Sequence, residues 1–374
     1  MKTTRLSLLL AGLASMAAGC QPETGTSPTA QPPGAALKAH EAALSTPVGT
    51  WTSNASSLLA HSGGHTATLL NGPGDALVVD GSGAEVYNPY TNAWRRTASP
   101  LTAHTLHTAT ELSSGKVLVT GGHAGTWGDW TRNAELYDPA TETWSATAPM
   151  LTPRGNHTAA LLDSGKVLVM GGNTPANGSG PEAEVYDPET STWSGVSSGL
   201  ILPRSRAALT VLYSGQVLVT GGYLWAHSGT ATSEVWRYDP ASNSLSRAGN
   251  LSRARHGHAA IRLYSGNVLI VGGIDGGSTV EIYDPYLDQW SPGAPFPYDM
   301  TPLFSATMLY SGEVLVTDAI GQAALYDPAT NTWTPTPRMK QGRSSPTATL
   351  LHTGEVLFVG GNSGGPRSVE RFTR

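Results

Sequence analysis

The chain has 374 residues and a formal net charge of −5, with 44 Gly and 26 Pro but only 13% charged residues. That much Gly and Pro, with so few Lys and Glu, excludes a helical bundle or coiled coil. The mild negative charge, with five Lys, argues against nucleic acid as a partner, and a single Cys excludes a disulfide framework or a cysteine-cluster metal site.

In chain order, Met1 to Gly19 reads as a secretory signal. Lys2 and Arg5 give a positive start, Leu6 to Ala18 is apolar, and Ala17-Ala18-Gly19 offers small residues for cleavage. The apolar run is too short to cross a bilayer as a helix. Cys20 follows it directly, and this arrangement resembles the lipobox of bacterial lipoproteins. The resemblance implies an acylated Cys20, and Gln21, in place of Asp, implies the outer membrane. Several acyl chains at about 0.8 kcal/mol per buried CH₂ would anchor the chain stably. Residues 20–48 are rich in Pro, Thr, Ser and Ala without apolar periodicity, which predicts a tether.

From residue 49 onward the chain is a repeat. Leu112-Ser-Ser-Gly-Lys-Val-Leu-Val-Thr-Gly121-Gly122 leads to Ala134-Glu-Leu-Tyr-Asp-Pro139 and then to Thr143-Trp144. The same string recurs from Leu162, from Leu212 (with Leu245 in place of Trp) and from Leu263. Two copies, ending at Trp94 and Trp333, lack the Gly pair, and a last copy ends at Phe372. Each copy predicts four short β runs, for example Thr158–Leu162, Val167–Met170, Ala183–Tyr186 and Thr192–Ser194, separated by Ser-Gly and Asp-Pro turns. A four-stranded sheet with two apolar faces is not stable alone, and radial stacking buries both faces. The string resembles the kelch repeat, which implies an all-β propeller. The last copy lacks a fourth strand and Trp51 stands alone ahead of the first copy. Trp51 is therefore expected to complete the last blade, giving seven blades closed by an N-terminal strand, with six blades as the alternative.

Antiparallel order sets the two rims. The a–b turns (mostly x-Ser-Gly) and c–d turns (mostly Asp-Pro) share one face and read as purely structural. The b–c and d–a loops share the other and vary in length. Between the Gly pair and the strand c aromatic there are 14, 13 and 15 residues in blades 2, 3 and 4, but only 5 in blade 1. This loop face is the expected site. Trp127 and Trp130 in blade 2, and Tyr223 and Trp225 in blade 4, form an aromatic set that would suit sugar rings or a protein contact. Arg154, Arg204, Arg255 and Arg343 each stand just ahead of strand a, with His104 in the equivalent place in blade 2. The kelch resemblance implies that such arginines line the ligand mouth and hold carboxylates. His65, His107, His157 and His258 share one repeat position. Strands radiating from an axis cannot bring them to one metal ion, so a hydrogen bond to a neighbouring blade is the expected role.

Two function classes stay open. One is a glycan- or protein-binding lipoprotein with no cofactor, no metal and no catalytic residue, touching the membrane only through its anchor. The other is a carbohydrate-active kelch enzyme such as a sugar mutarotase. Copper radical oxidases of the galactose oxidase type need a Tyr cross-linked to a Cys, and Cys20 lies outside the propeller. No nucleophile elbow, zinc-protease motif or phosphate loop is present.

Overall fold

The structure is a computed structural model. It describes residues 48–374 apart from 124, 126, 127, 175–180, 197–203, 225–228, 300–303, 362–364 and 366. Cys20, the signal segment and most of the tether therefore lie outside the described residues. All of the described structure belongs to one compact unit of the chain.

Among the described residues that unit is all β, with 28 strands in seven four-stranded antiparallel sheets. Blade 3 shows how one is made: Thr158–Leu161, Val167–Met170, Ala183–Asp187 and Thr192–Gly195 pair in order as strands a to d. Strand b is buried throughout, and its alternation splits it between two interfaces. Val167 and Val169 enter a cluster with blade 2, whereas Leu168 and Met170 enter one with blade 4. Seven such clusters, one between each pair of neighbouring blades, replace a single central core. Neighbouring a strands adjoin all the way round, and that of blade 7 (Thr347–Leu350) lies beside that of blade 1 (Thr66–Leu69).

The wheel closes as the repeat count requires. Thr50–Ser53 pairs antiparallel with Val369–Thr373, placing Trp51 opposite Phe372. The Trp51 ring lies 5.1 Å from both Phe358 and Phe372, and its Nε1 donates to the Pro337 carbonyl at 2.8 Å. The other strand d tryptophans repeat this bond: Trp94, Trp144, Trp193, Trp290 and Trp333 donate to Ala55, Ala98, Ala148, Gly249 and Ala294. Each indole thus ties its blade to the chain leaving the previous one, and five of them also pack on the strand c tyrosine at about 5 Å. Trp236 is instead a buried packing residue, capped by Arg247.

Because Trp51 is buried and joins the two ends, Trp51→Ala should lower unfolding stability by about 3–5 kcal/mol. Urea denaturation would show this, and an unchanged midpoint would mean that the ends are held by other contacts.

Candidate functional site

The four arginines ahead of strand a have internal partners. The backbone carbonyls of Arg154, Arg204 and Arg255 accept from Gly122, Gly172 and Gly222, the second glycine of the preceding blade, at 2.8, 2.9 and 2.9 Å. The first glycine of each pair must approach equally closely. A Cβ at Gly121, Gly171 or Gly221 would collide with the same carbonyls, and all six glycines have positive φ. The arginine side chain then turns back into its own blade. Its Nη1 donates to the carbonyl of Gly171, Gly221, Gly272 or Gly360. Its Nη2 pairs with a glutamate at 2.8–3.0 Å: Glu184, Glu281 or Glu370 in strand c, and in blade 4 Glu234, which stands just ahead of strand c. All four arginines are at most 1% exposed. Burial pulls their guanidinium pKa values below the usual range, against the opposing pull of the glutamates. The expectation that Arg154, Arg204, Arg255 and Arg343 line an open mouth is therefore corrected. The carboxylates they hold belong to the fold itself.

His104 fills the same role in blade 2, with Nδ1 on the Gly121 carbonyl and Nε2 3.1 Å from Glu135. In blade 1 it falls to His61, whose Nδ1 lies 2.5 Å from Asp80 and Nε2 2.7 Å from Glu85. Burial works to lower the His61 pKa, but the two carboxylates outweigh it and hold the pKa up at about 8. The repeat-position histidines bond to neighbouring blades: His107 to Thr66, His157 to Thr108 and Thr120, His258 to Thr220, and His65 to the Val359 carbonyl. Burial drives His65 to about 4 and His107 and His258 to about 3, so these rings are neutral.

An open feature does exist on the loop face, inside the arginine ring. Gly64, Leu106, Asn156, Arg206, Gly257 and Ser345 each lie two residues before the equivalent start of strand a, and all have φ between 52° and 74°. Their backbones form a relay from blade to blade: Leu106 N to Gly64 O, Asn156 N to Leu106 O, Arg206 N to Asn156 O and Gly257 N to Arg206 O, at 2.8–3.1 Å. A left-handed backbone is costly for Leu106 and Arg206, and the relay holds both. These residues, with Ile274, Phe304 and Pro346, line a cavity of about 320 Å³ at the axial mouth. Arg206 is exposed there and makes no ion pair among the described residues. Its charge helps burial to depress the pKa of nearby His256.

The aromatic candidates divide. Trp130 is half-buried, meets His123 edge-on at 5.9 Å and covers Gly155, where any Cβ would strike its indole. Tyr223 is half-buried too, bridged to Ser205 and Ala231 and packed on His256 at 5.0 Å. Both are folded onto the scaffold. Trp127 and Trp225 lie outside the described residues. Arg206 went unnoticed in the sequence because it is one cation among unlike residues (Leu, Asn, Gly, Ser) at a position that carries no motif.

Residues 106–317, more than half of the chain, match the family model described as the KLHDC2/KLHL20/DRC7 Kelch-repeats domain. The chain belongs to the kelch-repeat propellers. Among curated proteins it is similar to the F-box/kelch-repeat protein At1g22040 of Arabidopsis thaliana, 26% identical over 131 residues. That match covers 28% of this chain and 27% of the Arabidopsis protein. Among solved structures it is similar to a fungal alcohol oxidase of the AA5 family in complex with copper. The TM-score is 0.72 at 19% identity, covering 87% of this chain and 76% of the oxidase chain. At that identity the likeness is one of fold. Among the described residues no three His, Cys, Asp or Glu side chains are placed together to hold a metal ion.

Two outcomes separate scaffold from site. Arg255→Ala strands a buried Glu281 carboxylate and should cost about 3–5 kcal/mol. Arg206→Ala should stay within about 0.5 kcal/mol of the parent. Urea titrations of both variants make the comparison, and equal effects would contradict the assignment.

His61 binds its proton more tightly folded than unfolded. The stability it contributes, about 2 kcal/mol, is present below pH 6.5 and lost as pH rises through about 8. His61→Asn should remove that slope from a series of urea midpoints against pH.

Proposed function

We propose that this kelch propeller is a binding module without chemistry of its own, displayed from the bacterial outer membrane by acylated Cys20. The kelch fold suits a binding or scaffolding role, and such propellers generally bind proteins. The observation that carries the finer reading is Arg206, an exposed cation held in a left-handed backbone at the rim of the axial cavity. The cavity, at about 320 Å³, matches a side chain or chain end more than a folded surface. A protein segment carrying a carboxylate is therefore the ligand class proposed, with Asn156 and Ser345 offering hydrogen bonds beside the guanidinium. The glycan reading of this rim loses support, because Trp130 and Tyr223 pack inward.

An array of short acidic and free-carboxylate peptides, probed with the full chain at low and high salt, tests the ligand class. Binding should fall with salt and drop at least tenfold in Arg206→Glu, with Arg206→Lys intermediate. Binding indifferent to both substitutions would overturn the reading. For the anchor, Cys20→Ser should move the protein from the membrane fraction to the soluble fraction and abolish labelling by an alkyne fatty acid. Retention in the membrane would refute it.

A further inference from the structure

The turn face, which the sequence presents as purely structural, carries exposed aromatic rings. The a–b turns of blades 4, 5 and 6 begin with Tyr213, Tyr264 and Tyr310, which are 54%, 60% and 57% exposed. Each leans toward the turn glycine of the next blade. A Cβ on Gly266, Gly312 or Gly354 would sit 3.2, 3.4 or 3.8 Å from the respective ring. Tyr286, on the c–d turn of blade 5, closes on Gly266 from the other side. One side of each ring is thus supported on a rigid turn, and more than half of its surface meets solvent. Rings fixed in this way lose little conformational freedom when a ligand stacks on them.

Their surroundings are polar rather than apolar. The groove between blades 5 and 6 has a volume of about 370 Å³, with Tyr264 on its wall and Asn267, Ser311, Glu313 and Asp327 among its lining. Glu313 is paired with Arg374, and Arg262 lies over the Tyr213 ring at 4.3 Å. Blades 2 and 3 differ: their turns begin with Ser113 and Asp163, and the groove between them holds Lys116 and Lys166. The aromatic character therefore covers one arc of the face only.

We infer that the arc Tyr213–Tyr264–Tyr310 is a binding track for a neutral oligosaccharide. A pyranose presents an apolar C–H face to an aromatic ring and hydroxyls at its edge, and the arc supplies both partners: the exposed rings of Tyr264 and Tyr310, with amide, hydroxyl and carboxylate groups between, while Tyr213 at the end of the arc already carries Arg262 over its ring. Rings repeated once per blade, separated by Ser-Gly, suit a ligand that itself repeats. A protein anchor would need a contiguous, dry centre, which these separated rings do not form. Asp327 in the groove, with Glu313 already paired to Arg374, leaves no cation free there for a polyuronate among the described residues of its lining. This site lies on the rim opposite Arg206 and is independent of the peptide reading there.

The test is isothermal titration of the full chain with cellohexaose, mannohexaose and chitohexaose, and with hexagalacturonate as the acidic control. At least one neutral hexasaccharide should bind and hexagalacturonate should not. Tyr264→Ala and Tyr310→Ala should each weaken binding roughly tenfold. Tyr264→Phe should bind as the parent does, since the ring face is kept, and Arg206→Ala should leave binding unchanged. Thermal melts of these surface variants should match the parent, so lost binding cannot be put down to unfolding. The inference is overturned if no neutral hexasaccharide binds, if the alanine variants bind as well as the parent, or if the acidic oligosaccharide binds best.

Discussion

The pair between the residue ahead of strand a and a glutamate at or just ahead of the start of strand c organises this propeller. It joins three segments of a blade that would otherwise drift apart: the incoming loop, the end of strand b and the start of strand c. Arg154 shows the full set, with Nη1 on the Gly171 and Glu182 carbonyls and Nη2 on the Pro181 carbonyl and Glu184. The glutamate is equally occupied, since Glu184 also accepts from the Leu151 and Thr152 amides. A buried ion pair is tolerable only when both partners are satisfied in this way, and removing one side leaves an uncompensated charge. The guanidinium is thereby committed to the fold and is not free for a ligand.

The same logic explains the blade that lacks the pair. In blade 6 the sequence has Thr301 and Ala324 at the two positions, so arginine and glutamate are lost together. Losing both partners costs far less than losing one. The Gly pair is replaced there as well, and Asp318 now accepts from the Ile320 and Gln322 amides to close a tighter turn. Blade 1 makes a different substitution. Its Asp80 replaces a glycine and its His61 replaces the arginine, so two carboxylates share one imidazole and raise its pKa. One architectural position thus gives a permanent charge in four blades and a titrating one in another.

With the arginines and the repeat histidines absorbed into the scaffold, the open chemistry among the described residues lies at positions that the scaffold does not specify. On the loop face these are the left-handed residues of the axial relay, whose backbones are fixed and whose side chains are free to vary. On the turn face they are the first residues of the a–b turns, where Ser113, Asp163, Tyr213, Tyr264, Tyr310 and His352 occupy equivalent places. On both rims the variable side chains stand singly on a rigid backbone. Neither rim requires a change in the wheel beneath it.

The sequence by itself determined the blade count, the closing strand and the rim to which each loop belongs, because these follow from repetition and from the alternation of antiparallel strands. Trp51 opposite Phe372 and the inter-blade bonds of the repeat histidines were legible for that reason. What only the tertiary structure decided was direction: whether a polar side chain at a repeat position faces solvent or its own blade. The spacing of Arg154, Arg204, Arg255 and Arg343 is the same for a ligand ring as for a scaffold ring. The deciding partners, Glu184, Glu234, Glu281 and Glu370, lie 26 to 30 residues away along the chain. Exposure of Arg206 and of the turn tyrosines was hidden likewise, since it depends on what the neighbouring blade leaves uncovered.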